Sequence, residues 1–386
     1  MMRITADWLT NPATQAVCAA LEAGGAQALF VGGCVRNTLM GVAVSDIDIS
    51  TDARPERVMW LAESAGIKAV PTGIEHGTIT LVQDGIPHEV TTFRRDVETD
   101  GRRAVIAFAD RVEEDAARRD FTMNAIYARS DGTVLDPLGG LPDLLARRVR
   151  FIGDARDRIR EDYLRSLRYF RFHAWYGDAA EGFDPEALAA IAENLDGLSR
   201  LSRERVGGEL LKLLAAADPA PSAAAMRSTG ALGQLLPGAD DRALAPLVHL
   251  EAQSGAAPDG LRRLAVLGGV DVAESLRLSR AQAKRFDQMR EGASSLMSPA
   301  ELGYRLKLPG ARDALLLRQA WSEQPWPEVA NDQLATGAVA HFPVTARDLM
   351  PAYQGAALGS RLAELEGQWV ASGFALDKAA LLSGHR

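Results

Sequence analysis

The sequence predicts an α/β or α+β head followed by an extended all-helical remainder. Two observations support this prediction. Before residue 140, short β-branched runs such as QALFVGG, SDIDIST and GTITLVQDGIPHEVTTF predict strands, and Asp84-Gly85 and Asp131-Gly132 predict hairpin turns. From about residue 142 onward, Ala, Leu, Arg and Glu recur at helical spacing with interruptions at Pro and Gly. A chain of 386 residues is long enough for two or three domains.

Composition and charge are those of an ordinary globular protein. The chain is 47% hydrophobic and 24% charged, and its formal net charge of −8 excludes a basic protein that coats nucleic acid. Its cationic residues are 38 arginines and only 5 lysines, and arginine offers a flat fork of donors for phosphates and carboxylates. Cys18 and Cys34 are too few for a metal cage, and no signal peptide or long apolar run is evident. We therefore expect a cytoplasmic protein with no membrane contact.

A glycine pair follows the first predicted strand. In LFVGGCVRNTLMG the apolar run ends at Gly32-Gly33, and a helix is predicted to begin near Val35-Arg36. Glycines let a phosphate approach the backbone closely, and the free N–H groups at a helix start attract anions. The pattern predicts anion binding by Gly32, Gly33 and Arg36. The alternative is a tight strand-to-helix turn with a surface arginine.

Two aspartates lie in the next predicted strand, Ser45-Asp46-Ile47-Asp48-Ile49. Alternation along a strand places Asp46 and Asp48 on one face, where two carboxylates repel each other unless a cation lies between them. Hard oxygen ligands favour Mg²⁺, which keeps waters and takes further ligands from phosphates. Glu89 becomes a third candidate ligand if an antiparallel sheet brings it alongside. The alternative is a solvated strand face.

Two further clusters combine arginines with acids. In Arg118-Arg119-Asp120 the second arginine is suited to a triphosphate and the aspartate to ribose hydroxyls, or else Asp120 or Thr122 caps a helix. In Glu161-Asp162-Tyr163-Leu164-Arg165, Asp162 and Arg165 are i,i+3 neighbours on a predicted helix. Together they present the acceptor and donors that a nucleobase edge requires.

Arg168 and Arg171 continue the same predicted helix, but each step of three residues turns by about 60° around the axis. Arg171 is therefore predicted to lie nearly opposite Asp162. We rank Asp162 and Arg165 above Arg168, and Arg171 last. The segment 144–172 has a net charge of +5, which favours an anionic ligand over a solvated, salt-bridged helix.

These residues together resemble the class II nucleotidyltransferase family, which contains the CCA-adding tRNA nucleotidyltransferases and the bacterial poly(A) polymerases. The resemblance runs from about residue 28 to 215. Its five motifs occur in the family's order: Gly32-Gly33-Cys34-Val35-Arg36 with Asp46-x-Asp48, Arg118-Arg119-Asp120, Asp136-Pro137-Leu138-Gly139-Gly140, Glu161-Asp162-x-x-Arg165, and Ser202-Arg203-Glu204-Arg205-Val206-x-x-Glu209. Family members often carry Asp and Pro where this chain has Asn37 and Tyr163.

The resemblance implies an α+β fold, a nucleotidyltransferase head with a small mixed β-sheet followed by an elongated all-α neck, body and tail. The implied domains are a catalytic head at 1–141, a helical neck with the nucleobase-selecting helix at 142–215, and a helical body and tail that bind tRNA at 216–386. The motif at 136–140 corresponds to a head–neck hinge and the motif at 202–209 to a brace of the neck helices.

The resemblance also implies roles for the candidate residues. Asp46 and Asp48, with Glu89 as a possible helper, would hold two Mg²⁺ ions, one activating the 3′-hydroxyl of the RNA and one stabilising the leaving pyrophosphate. The nucleotide-binding candidates are Gly32, Gly33, Arg36, Arg119, Asp120, Asp162, Arg165, Arg168 and Arg171. Among these, Asp120 would favour ribose, while Asp162 and Arg165 would select C or A.

Within the family we favour complete CCA addition to the 3′ end of tRNA from CTP and ATP, with no protein partner implied. The charged loop from Arg94 to Asp115 has ordinary length, and in the family that loop is linked to the switch from C to A addition, which argues against a CC-only enzyme. An A-adding enzyme and a poly(A) polymerase remain alternatives. A non-catalytic RNA-binding scaffold is a further alternative, although such a protein would be expected to have lost the aspartate pair.

Overall fold

The computed structural model describes residues 2–99 and 104–383. Within these ranges, only the backbone is described for residues 96–99 and 104–106. The chain divides into two compact units, one of Met1–Leu213 with Pro221–Leu235 and one of Leu214–Ala220 with Leu236–Arg386. The predicted head falls in the first unit, as does the predicted neck up to Leu213, and the boundaries of both remain predictions. Within the described ranges, no helix is both long enough and apolar enough to cross a membrane.

The first unit contains all the described strands. They are β1 Leu29–Val31, β2 Asp48–Thr51, β3 Lys68–Gly73, β4 Thr78–Gln83, β5 Ile86–Thr92, β6 Arg94–Thr99, β7 Ala104–Phe108, β8 Tyr127–Arg129 and β9 Val134–Leu135. Seven of them form one sheet in the order β3-β4-β5-β2-β1-β8-β9, while β6 and β7 form a separate antiparallel pair. Because β2 and β5 are parallel and their neighbours antiparallel, the sheet is mixed. The predicted α+β class is confirmed.

Twelve described helices accompany the strands in the first unit. They are α1 Asp7–Thr10, α2 Pro12–Ala23, α3 Gly33–Met40, α4 Pro55–Ser64, α5 Val112–Ala117, α6 Leu141–Leu145, α7 Ala155–Glu161, α8 Leu164–Tyr176, α9 Pro185–Glu193, α10 Arg203–Leu214, α11 Ala220–Thr229 and α12 Ala231–Leu235. Short 3₁₀ helices occupy Ile74–His76, Thr122–Asn124 and Leu195–Arg200. The sheet's core side chains include Leu29, Phe93 and Tyr127, each almost fully buried.

The turn after β1 has the predicted strand-to-helix form, but the helix begins earlier than expected. Gly32 adopts a φ of +70°, a conformation that favours glycine, and α3 already begins at Gly33 rather than near Val35. The first helical N–H groups therefore lie directly after the buried strand.

The strand carrying the aspartates is shorter than expected. Because β2 begins at Asp48, Asp46 lies in the segment before the strand and is exposed, so strand alternation does not place the two aspartates on one face. Glu89 does come alongside Asp48, but through parallel rather than antiparallel pairing of β2 and β5. The crossover between these strands contains α4, β3 and β4.

The charged segment from Arg94 to Asp115 contains regular structure where a loop was expected. Strands β6 and β7 pair as a hairpin, and α5 follows. Residues 100–103, the connection between the two strands, lie outside the described part of the chain.

The predicted hinge motif forms the start of α6. The Asp136 carboxylate accepts hydrogen bonds from the backbone N–H groups of Gly140 (2.7 Å) and Leu141 (2.9 Å). A Cβ on Gly140 would lie 2.2 Å from the carbonyl oxygen of Thr122, so only glycine fits there. The motif therefore fixes the backbone of α6 against the 3₁₀ turn after Asp120.

The described part of the second unit is helical. Its helices are α13 Leu244–Ser254, α14 Gly260–Leu267, α15 Val272–Ser275, α16 Arg280–Ser294, α17 Pro299–Leu306, α18 Gly310–Trp321, α19 Ala330–Val339, α20 Ala346–Leu349, α21 Gly355–Ala371 and α22 Lys378–Ser383. Helices α17 and α19 approach closely through glycines. A Cβ on Gly303 would lie 2.2 Å from the Leu334 carbonyl oxygen, and one on Gly337 would lie 1.8 Å from that of Ala300.

Gly337→Ala is expected to destabilise the second unit by about 3 kcal/mol, because the added methyl overlaps backbone that cannot rotate away. The matched control is Gly359→Ala on the exposed face of α21, where an added Cβ meets nothing within 4 Å. That substitution should stabilise the helix by roughly 0.5–1 kcal/mol. Thermal melts followed by circular dichroism test both. Equal melting temperatures for the two variants would show that α17 and α19 are not packed this closely.

Candidate active site

A cavity of about 430 Å³ opens in the first unit. It is lined by Val31, Asp48, Ile49, Ser50, Thr78, Glu89, Thr91, Arg94, Arg118, Arg119, Asp120, Asp162, Leu164, Arg165, Arg168 and Arg205. Among these described side chains, 4 carboxylates face 6 guanidinium groups and no lysine. Such a lining suits an anionic ligand and also supplies acidic oxygens for a cation.

The structure brings together 7 of the 12 residues predicted from the sequence. Asp48, Glu89, Arg119, Asp120, Asp162, Arg165 and Arg168 line the cavity. The other predicted residues, Asp46, Gly32, Gly33, Arg36 and Arg171, are not part of this lining.

Asp48 and Glu89 form the acidic side of the cavity. They are register partners in the parallel pair of β2 and β5. Burial, and after it the charges of Glu89 and Asp46, raise the pKa of Asp48, while Arg119 opposes this rise. The exposed Asp46 accepts a hydrogen bond of 2.8 Å from the Ser45 hydroxyl.

This carboxylate set fits a hard divalent cation better than a proton or a softer metal. A carboxylate whose pKa is raised by burial and by a neighbouring acid is stabilised in its ionised form by a cation, and Mg²⁺ prefers oxygen ligands. Among the described residues, no three His, Cys, Asp or Glu side chains form a group that could hold a metal ion. An ion here would need water or phosphate oxygens as its remaining ligands, which is how Mg²⁺ is bound at phosphoryl-transfer sites.

Arg36 does not reach the cavity, because its guanidinium is held elsewhere in the first unit. It donates hydrogen bonds to Asn124 (2.5 Å) and Tyr176 (2.8 Å) and lies 4.0 Å from the centroid of the Tyr176 ring. Asn37 also accepts from it, at 2.9 Å. Burial lowers the pKa of Arg36. Gly33 lies beside this guanidinium, whereas Gly32 faces Arg119.

Asp120 is the centre of a hydrogen-bond network on the cavity wall. One oxygen accepts from the Phe121 N–H (2.9 Å) and from Asn124 (2.8 Å), and the other pairs with Arg168 at 2.6 Å. Burial by itself would raise the pKa of Asp120, but Arg168 and these donors outweigh it and lower the pKa. Since Asn124 also binds Arg36, it links the glycine turn to the predicted ribose-selecting carboxylate.

Asp162 and Arg165 line the same cavity, but they do not lie on one helix as predicted. Asp162 lies between α7 and α8 with an extended φ of −151°, and Arg165 is in the first turn of α8. Each has its own partner of opposite charge. Arg205 binds the Asp162 carboxylate at 2.7 Å, and Glu161 binds the Arg165 guanidinium at 2.5 Å.

Arg171 points away from the cavity, in agreement with its lowest predicted rank. It pairs with Glu209 at 2.5 Å and lies 4.6 Å from the centroid of the Phe172 ring. The ion pair with Glu209 joins α8 to α10, a contact of the kind that the bracing motif at 202–209 implies.

Several lining residues were not among the predicted site residues. Arg205 and Arg118 were quoted within motifs without a site role, while Ser50 and Thr91 belong to strands whose cavity-facing positions depend on sheet order. The signal for the serine and threonine was their spacing of two residues from Asp48 and Glu89. Asn37 and Tyr163, where the chain departs from the family's pattern, do not line the cavity.

Known proteins resemble this chain in both sequence and structure. Residues 28–150 match the family model of the poly A polymerase head domain, and residues 182–242 match a model described as the probable RNA- and SrmB-binding site of polymerase A. The human mitochondrial CCA tRNA nucleotidyltransferase 1 is 46% identical over 186 residues, covering 48% of this chain and 43% of that protein. A CCA-adding enzyme of Levilactobacillus brevis is 40% identical over 212 residues, covering 54% and 52%. The matched part of the chain thus spans about half the length of these curated relatives.

Solved structures extend the likeness over nearly the whole chain. The CCA-adding enzyme of Bacillus stearothermophilus, determined in complex with CTP, has a TM-score of 0.72 at 28% identity and covers 93% of this chain and 92% of its own. The Thermotoga maritima CCA-adding enzyme complexed with tRNA has a TM-score of 0.72 at 18% identity, with 99% and 98% covered, and shows the shared fold. Residues 28–150 therefore match the family of the poly A polymerase head domain, and nearly the whole chain shares the fold of CCA-adding enzymes.

Proposed function

We propose that this protein adds CCA to the 3′ end of tRNA from CTP and ATP without a nucleic-acid template, releasing pyrophosphate. The observation that supports it best is the single cavity that joins the Asp48–Glu89 corner, the phosphate-binding arginines and the Asp162–Arg165 pair. The relatives named as CCA-adding enzymes and the structure with CTP support the same reaction.

Asp46, Asp48 and Glu89 are the residues that would hold magnesium, and we propose two ions. When bound, magnesium supplies positive charge at the reacting phosphate and lowers the pKa of a coordinated hydroxyl. Glu89 would be the ligand fixed by the sheet, since it is the register partner of Asp48, whereas Asp46 would have to approach from the exposed segment before β2.

The arginines of the cavity would bind the triphosphate. Arg119 lies beside Gly32, so the guanidinium would bind the phosphates together with the backbone of this turn, although Gly32 itself does not line the cavity. Arg168 is neutralised in part by Asp120 and would hold this carboxylate toward the ribose. Arg36, held by Asn124 and Tyr176, would support the turn from behind rather than contact the nucleotide.

Asp162 and Arg165 would read the nucleobase edge. An acceptor and a donor that a wrong base covers and leaves unpaired cost more free energy than a lost contact, so hydrogen bonding of this kind rejects wrong bases strongly. The Arg205 and Glu161 partners would hold the two side chains while the base is absent.

Three RNA substrates test the proposal: tRNA that ends before CCA, after one C and after CC, each incubated with CTP, ATP and Mg²⁺. We expect all three to be completed to CCA and then to stop, with one pyrophosphate released for each nucleotide added. Addition of A to the CC substrate alone would instead identify an A-adding enzyme. Long A tracts on unrelated RNA would identify a poly(A) polymerase. RNA binding without pyrophosphate release at any Mg²⁺ concentration would identify a non-catalytic RNA-binding scaffold.

We also propose a cytoplasmic location. Cys18 and Cys34 are both free and buried, and burial raises the pKa of both thiols, as expected of unreactive core cysteines. Since one of the relatives is mitochondrial, fractionation of cells that express the tagged full chain is the direct test.

A further inference from the structure

Asp115 is a buried carboxylate to which the proposed reaction assigns no role. It lies in α5 with no exposed side-chain surface, although two of its neighbours line the cavity. Arg118 donates from Nε to one carboxylate oxygen at 2.9 Å, and Arg119 donates from Nη2 to the other at 3.0 Å. One acid thus holds two adjacent arginines of the candidate site.

Tyr127 and Ser50 complete the network around Arg119. The Tyr127 hydroxyl donates to Asp115 at 2.8 Å and accepts from Arg119 Nε at 3.1 Å. The Ser50 hydroxyl accepts from Arg119 Nη2 at 3.3 Å. These contacts fix the Nε and Nη2 edge of the guanidinium from three sides. The charges of Arg119 and Arg118, together with the Tyr127 hydroxyl, lower the pKa of Asp115 to about 2 despite its burial, so the carboxylate is ionised at neutral pH.

The opposite edge of Arg119 remains for a ligand. Within the described ranges no hydrogen-bond acceptor for Nη1 is found, and this nitrogen lies 3.7 Å from the position of a Cβ on Gly32. It therefore faces the glycine turn, where a phosphate could approach without meeting a side chain. An arginine with one edge locked and the other free loses little side-chain entropy when it binds an anion.

We propose that Asp115 is a positioning residue that, with Tyr127, orients Arg119 and Arg118 toward the triphosphate of either nucleotide. This inference rests on the proposed function, because it concerns how that site binds its nucleotides. Since CTP and ATP share the triphosphate, loss of Asp115 should weaken the binding of both nucleotides by the same factor and leave the choice between bases unchanged.

Asp115→Asn is expected to raise KM about tenfold for both CTP and ATP, the effect of losing a charge-assisted hydrogen bond, with kcat changed less than threefold. Equilibrium binding of inorganic tripolyphosphate should weaken by the same factor. Tyr127→Phe keeps the ring and should raise both KM values about threefold, so it tests the idea even if the first variant does not fold. If Asp115→Asn instead lowers KM, Asp115 only offsets the positive charge of the site, and the proposal is overturned.

The matched control is Asp143→Asn. Asp143 is a second buried aspartate of the first unit that binds two arginines, Arg148 and Arg150, but it does not line the cavity. This variant should lower the melting temperature without raising either KM. If it raises KM as much as Asp115→Asn does, the role of Asp115 is merely structural.

A double-mutant cycle separates positioning from packing. When Arg119 is already Ala, Asp115→Asn should raise KM less than twofold further, because its effect passes largely through that guanidinium. Full additivity would overturn the proposal. If the wild type adds nucleotides and Asp115→Asn has the same KM values, this inference alone is wrong. If the wild type neither binds tripolyphosphate nor adds nucleotides, the proposed function is wrong as well.

Discussion

Asp48→Asn is expected to lower kcat for nucleotide addition by at least about 10³-fold, because a carboxylate that holds the metal contributes several kcal/mol to the transition state. The same change should not reduce the stability of the fold. Burial, Glu89 and Asp46 raise the pKa of Asp48, so its ionised form is less favourable in the folded than in the unfolded chain. Asparagine removes that unfavourable charge.

The sign of the stability effect can be measured. A carboxyl whose folded pKa lies above its unfolded value costs stability once it is ionised, so the cost is absent below the unfolded value of 3.8 and develops as pH rises through the folded pKa. The melting temperature of Asp48→Asn should therefore equal or exceed that of the wild type at neutral pH, and the two should converge in acid. Addition of Mg²⁺ should raise the melting temperature of the wild type but not of the variant.

Asp84→Asn is the matched control for this experiment. Asp84 lies in the turn between β4 and β5 with a φ of +50°, a conformation that asparagine also tolerates. It removes one carboxylate from the same sheet without touching the cavity, so kcat should stay unchanged. A kcat for Asp48→Asn within tenfold of wild type, or a melting temperature several degrees lower, would contradict a metal-binding role.

The sequence was sufficient for the local features that build this site. Asp84-Gly85 predicted the hairpin of β4 and β5, and both residues have the positive φ values of a two-residue hairpin turn. Gly32 predicted the turn before α3. Each of these depends on residues adjacent in the chain, and their conformational preferences are strong enough to be recognised without tertiary contacts.

The misplaced features depend on distant parts of the chain. Parallel pairing of β2 with β5 follows from the order of the whole sheet, so no local pattern distinguished it from antiparallel pairing. Arg36 has the spacing of a phosphate ligand, yet Tyr176 on α8 holds its guanidinium away from the cavity. Arg205 and Asp162 are 43 residues apart and meet through the packing of α10, so neither residue's spacing predicted the contact.

Asp162→Ala and Arg165→Ala are expected to reduce discrimination against UTP and GTP about 100-fold, because in the proposed role each side chain makes hydrogen bonds that only the correct base edge can satisfy. The loss should appear in the ratio of kcat/KM values for correct and incorrect nucleotides, measured by single-nucleotide addition to tRNA ending before CCA. The triphosphate contacts remain, so binding of inorganic tripolyphosphate should be unchanged. This result would separate base selection from the effect expected of Asp115→Asn, a variant that should weaken the binding of all nucleotides equally.

Arg205→Gln tests whether the position of the Asp162 carboxylate, and not only its presence, sets the choice of base. Arg205 binds this carboxylate at 2.7 Å, and the variant should reduce discrimination about tenfold while Asp162 is retained. The control is Asp157→Asn on α7, where an exposed carboxylate lies 3.7 Å from Arg160 and takes no part in the cavity. If selectivity survives loss of Asp162, Arg165 and Arg205 alike, the base must be read by other groups, and the cavity would serve the triphosphate and metal alone.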